Sequence, residues 1–187
     1  MSDGGVGAQA LEMSPGQAAD RLHGELVEAG QALAARDLDA ALDAYVRGLG
    51  LALQLGPAAT EIALGAILAG AADLLRRGDG DGLCALGPAV AGVVDQAREA
   101  GAVPPTAAMQ AWAGVAVDVG ALLGQVGLAL ALPVERRAGL WRQAQARAAL
   151  LDEATGGRFA LTDLIGGVVA GNFVDIKPAR SRSVEEG

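Results

Sequence analysis

Apolar positions recur along most of this chain at intervals of three and four residues, the period that gathers side chains on one face of an α-helix. Leu22, Leu26, Ala29 and Leu33 keep that spacing. Ahead of them Ser14 and Pro15 form a helix start, Ser as the cap and Pro at a position where its missing N–H is harmless. One helix is expected over about 15–36. Asp37 caps a second, striped by Leu38, Leu42, Tyr45, Leu49 and Ala52 until Gly56 and Pro57 end it. A third is expected over about 58–77. "GDGDG" at 78–82 reads as a flexible turn, followed by a fourth helix over about 85–100 with Gly87 and Pro88 near its start. The fifth covers 106–132. A sixth begins at Pro133, with Val134, Ala138, Trp141, Ala144, Ala148 and Leu151 on its stripe, and stops at Gly156 and Gly157. A shorter seventh spans about 159–171. The pattern predicts an all-α fold of about seven helices, stacked as antiparallel hairpins or an irregular helical bundle. A single domain is expected over 14–172, with a disordered segment at 1–13 and a mobile tail at 173–187.

The fifth segment, "TAAMQAWAGVAVDVGALLGQVGLALAL", contains one charged residue, Asp118, and is long enough to cross a bilayer. An Asp near the centre of a span costs roughly 2.5 to 3.5 kcal/mol, which Ala and Gly offset poorly. The expectation is a helix buried in protein. Pro104, Pro105 and Pro133 bracket it, and no second stretch is as clean, since residues 48–75 contain Glu61 and Asp73 and are broken at Gly56 and Pro57. Its glycines Gly120, Gly124 and Gly127 lie near one face, as do Gly167 and Gly171 later, an arrangement that lets backbones approach closely.

A weak internal match appears at an offset of 48 residues. Leu38, Leu86 and Val134 correspond, as do Leu42, Val90 and Ala138, then Tyr45, Val93 and Trp141, then Ala52, Ala100 and Ala148. Within this region "ARDLDAALDAYVRGLGLALQLGP", residues 35–57, resembles the second half of a tetratricopeptide repeat. It has a turn, then Leu38, the small Ala41, Leu42, the aromatic Tyr45, and the small Gly48 beside Leu49. The likeness covers about 23 of 187 residues and departs from the family elsewhere: helix 15–36 lacks the usual aromatic and small positions, Pro57 comes late, and 48 exceeds the family's 34-residue period. It implies an array of helical hairpins that presents a concave surface to a protein or peptide.

Composition narrows the functional classes. Apolar residues make up 52% of the chain and aromatics 3%, so Ala, Leu and Val must fill the interior. The net charge of −8 is concentrated in the first half, which argues against wrapping a phosphate backbone; no nucleic-acid partner is expected. Cys84 is the single cysteine, and no Cys/His set has zinc spacing. Residues 1–20 lack the basic and apolar regions of a secretory signal, so the cytoplasm is the expected compartment.

Few residues offer chemistry. His23 is the only histidine; without it no Ser/His/Asp or Cys/His triad exists, and without a Glu at 20 there is no di-iron Glu-x-x-His pair. A calcium loop starting at Asp79 would need Asp or Asn where Leu83 stands and a bidentate Glu where Val90 stands. Asp118 and Glu61 sit in apolar helices, and a carboxyl group buried there without a cation would carry a raised pKa suited to acid–base work. The simpler expectation is that each points outward or pairs with an arginine such as Arg137 or Arg142. Trp112 and Trp141 offer stacking surfaces, although Trp141 lies on an apolar stripe. Arg136, Arg137, Arg142 and Arg147 form the densest basic region, able to meet an acidic partner.

These features favour a non-catalytic protein–protein interaction or scaffolding module, with Trp141, Arg137, Arg142 and Tyr45 as binding residues and no metal or cofactor. The alternative is a small-molecule-binding protein or cofactor-independent enzyme with an apolar pocket between helices and Asp118 or Glu61 as its polar group. The expected partner is a protein or peptide, with a second copy of the chain or an apolar small molecule as further options; the reading disfavours a membrane.

Overall fold

In the computed structural model, seven α-helices follow one another along residues 14–172, which are the residues the structure describes. They are α1 (Pro15–Ala34), α2 (Leu38–Leu55), α3 (Pro57–Arg77), α4 (Gly80–Glu99), α5 (Ala107–Ala131), α6 (Val134–Thr155) and α7 (Leu161–Asn172). The expected terminal segments 1–13 and 173–187 lie outside the described residues. No strand occurs among the described residues, so the all-α expectation of seven helices holds.

Local chemistry explains most boundaries. Ser14 and Gln17 cap α1 reciprocally, each side chain accepting the other's backbone N–H. Asp37 accepts the Ala40 N–H at 3.1 Å to open α2, and Thr106 accepts the Met109 N–H at 3.2 Å to open α5. Gly56, at φ 124°, is at once the last cap of α2 and the first of α3, a backbone conformation only glycine adopts freely. The Thr60 hydroxyl seals that corner by donating to the Ala52 and Gly56 carbonyls.

Two boundaries differ from the sequence reading. The expected turn at 78–82 shrinks to Gly78 and Asp79: Asp79 accepts the Gly82 N–H at 2.8 Å, so the remaining glycines become the first turn of α4, leaving Pro88 inside the helix. At the other end α7 starts at Leu161 rather than 159, because Asp152 of α6 reaches across the turn and accepts the Leu161 and Thr162 N–H groups, both at 2.8 Å. Burial alone would raise the Asp152 carboxyl pKa; the hydrogen bonds from Thr162 and Leu161 outweigh it and hold the group below the ordinary aspartate value.

Each helix packs on the next, with the broadest contact between α4 and α5. α5 also meets α6 and α3, so it runs through the core, burying Met109, Ala113, Ala116, Val119, Leu122, Leu123 and Val126. Two helices, α3 and α5, are long and apolar enough to cross a membrane, the first of them containing both Glu61 and Asp73; half of the apolar window of each is buried within the protein itself. At the 48-residue offset, Tyr45, Val93 and Trp141 are all buried, but Ala100 and Ala138 are exposed, so the register agrees only mid-helix.

Close approach is concentrated where α4 crosses α5. A Cβ on Gly87 would sit 2.5 Å from both the Gly120 carbonyl oxygen and the Gly124 nitrogen; one on Gly120 would lie 2.6 Å from the Gly87 carbonyl. One on Gly127 would meet the Cys84 nitrogen at 2.6 Å. Side chains are absent here because two backbones occupy the space. Gly167, grouped with these by spacing, faces open space, and the side of Gly171 lies outside the described set.

Candidate functional site

The face of α5 turned away from α4 is built differently. α6 runs antiparallel to it, joined by the Gln125–Gln143 hydrogen bond at 2.9 Å and an ion pair between Arg147 and Asp118 at 3.8 Å. Between the two helices lies an open hollow of about 530 Å³ lined by Val115, Asp118, Ala146, Arg147, Leu150 and Ala154. A second hollow, of about 470 Å³, shares Val115 and Ala154 with it and ends at Trp112 and Arg158. Together they make one groove along α5 and α6.

The larger hollow is walled mainly by apolar side chains, the smaller one by a mixture of apolar and polar groups. Leu150 is 67% exposed, the largest value among the exposed bulky apolar residues described, while its neighbour Leu151 is 4% exposed and belongs to the core. At the far end Trp112 and Phe159 meet edge to face, with ring centroids 6.1 Å apart, and the Arg158 guanidinium lies 5.9 Å from the Trp112 ring centre. Arg158 also donates to Glu61 of α3 at 2.5 Å.

The residues singled out by sequence fall in four places. Asp118 and Glu61 stand near opposite ends of this groove, each with an arginine: the Asp118 side chain is 59% exposed and the Glu61 side chain 35%. The condition for an acid–base role, enclosure without a cation, is met by neither, because helix α6 and the α6–α7 turn bring Arg147 and Arg158 to them. Those partners replace the expected Arg137 and Arg142. Arg137 is turned the other way, donating to the Leu132 and Leu130 carbonyls at 2.6 and 3.0 Å and closing the end of α5. Arg142 is exposed on α6, and His23 on α1. Trp141 and Tyr45, expected to bind a partner, are each 4% exposed and fill the core.

Tyr45 does, however, plug a gap between helices: its ring lies against Gly70 of α3, where a Cβ would meet the phenol oxygen. Burial, with a smaller contribution from the Asp73 carboxylate, pushes the Tyr45 phenol pKa up. Gly48 allows α1 to come close, its missing Cβ lying 3.1 Å from the Leu26 Cδ2. Among the described residues no three His, Cys, Asp or Glu side chains gather to hold a metal ion.

Sequence reading missed Val115, Leu150, Arg158 and Phe159. One signal was present: Leu150 lies off the apolar stripe of α6, the one bulky apolar side chain on a face otherwise made of alanine and polar residues. Compared with known proteins, the chain matches no family model, no curated protein and no solved structure.

Proposed function

We propose that this chain is a non-catalytic protein–protein interaction module, a helical-hairpin scaffold working in the cytoplasm, whose docking surface is the α5/α6 groove. The observation that carries the reading is Leu150, exposed at 67% over a hollow walled by Val115, Ala146 and Ala154. A large apolar side chain held in water beside an unfilled apolar trough loses hydration cost when a partner covers it. A trough between two antiparallel helices is a shape that receives a third helix.

The test is a photo-reactive amino acid placed at Leu150 and, separately, at Val27, which is 42% exposed on α1. Irradiation in cells should join position 150 to another polypeptide and leave position 27 unjoined. Equal yields at both, or none at 150, would defeat the reading.

A further inference from the structure

The groove lies in the least acidic part of an acidic molecule. Residues 14–106 hold twelve carboxylates against six arginines, whereas residues 107–158 hold five arginines against four carboxylates. Of those four, Asp118 pairs with Arg147, and Asp152 is engaged by the N–H groups at the start of α7. Arg147 and Arg158 line the groove, with Arg142 exposed on α6 beside Arg147; Arg158 already donates to Glu61 of α3, but its side chain is 55% exposed and keeps donors in solvent. Asp118 is the sole charged residue of α5. The Arg147–Asp118 pair is stretched and its side chains are 40% and 59% exposed, so the guanidinium keeps donors turned to solvent.

Resting on the interaction reading above, we infer that the groove takes an amphipathic helix from a partner protein, one whose apolar face covers Val115 and Leu150 and whose flanks carry carboxylates. The trough runs from Gln143 to Ala154 on α6, about 16 Å at 1.5 Å per residue, which matches about three helical turns. Apolar side chains at positions i, i+4 and i+7 of the partner reach the floor. Acidic side chains beside them meet Arg147, about one turn in from the Gln143 end, and Arg158, just past the Ala154 end. The same chemistry exists on an anionic bilayer, but an extended negative surface would also confront the carboxylates of the rest of the molecule, with its net charge of −8, whereas a short helix confronts only the groove.

The experiment titrates the full chain into two labelled, end-capped model peptides of about 18 residues, equal in apolar face, one flanked by Glu and one by Lys. Fluorescence anisotropy should show the Glu peptide binding about tenfold tighter at low salt, with the advantage shrinking as salt is raised. In the double variant Arg147→Glu, Arg158→Glu the order should reverse; Arg147→Ala alone should narrow the gap, which covers the case of a misfolded double variant. Leu150→Asp should weaken both peptides. Equal binding of the two peptides, binding of neither, or binding to phosphatidylserine vesicles in place of both would overturn the acidic-helix inference. The cross-link at position 150 then decides separately whether the groove meets a protein at all.

Discussion

One helix, α5, has two faces that solve the packing problem in opposite ways. Toward α4 it presents Gly120 and Gly127, and the partner answers with Gly87 and Gly80, so backbone rests on backbone and a single added methyl has nowhere to go. Toward α6 it presents Val115 and Asp118, which line an open trough between the two helices, and Gln125, which bridges to Gln143. Close approach gives dense dispersion contact and a rigid pair. An open trough leaves apolar surface exposed. The difference teaches that residue size along a helix decides where it is sealed and where it stays available for a partner.

Substitutions at the two faces should therefore diverge, and urea unfolding followed by circular dichroism measures them. Gly87→Ala or Gly120→Ala forces a Cβ against immovable backbone and should cost about 3 kcal/mol, among the largest effects of any single methyl in the molecule. A loss below about 1 kcal/mol would show that the seam is loose and remove the contrast. On the other face two adjacent leucines separate core from trough. Leu151→Ala should cost about 3 kcal/mol, while Leu150→Ala should stay within about 0.5 kcal/mol, given their exposures of 4% and 67%.

Asp152→Ala removes the cap that ties α7 to α6 and should cost about 1 kcal/mol near neutral pH. Because the folded carboxyl has the lower pKa, its contribution is present above the unfolded value near pH 3.9 and is lost as pH falls through the folded one. Wild type should thus lose stability relative to the variant only in that acidic range; a constant difference down to pH 2 would contradict the capping role. The smallest effect has the opposite sign. Gly124→Ala puts a Cβ 3.9 Å from the Pro88 Cδ, an ordinary contact, and should stabilise α5 by about 0.5 kcal/mol through helix propensity alone. If Gly124→Ala were as damaging as Gly120→Ala, the seam would extend further along α5 than its geometry indicates.

Much of the fold was legible in order along the chain. Ser14, Asp37, Gly56, Pro57, Gly78 and Gly156 mark helix ends by local hydrogen bonding and permitted backbone angles, which involve only neighbouring residues, and the three-and-four spacing marks the helices between them. The close approach implied by Gly120 and Gly127 was readable too, since a missing side chain signals a near neighbour. Whether there is such a neighbour was not: Gly167 carries the same signal, yet a Cβ there would meet none of the described residues within 4 Å.

The candidate site lay beyond that horizon for the same reason. Asp118 and Glu61 look alike in sequence, as carboxylates in apolar helices, yet their character depends on Arg147 and Arg158, which stand 29 and 97 residues away. Tyr45 and Trp141 look like binding aromatics until three-dimensional packing encloses them. By itself the sequence determined the helices and the faces they wish to bury, because capping and amphipathic period are short-range properties of a chain. Only the tertiary structure decided which of those faces meet, how closely, and where a trough is left open, because these depend on side chains distant in sequence competing for the same space.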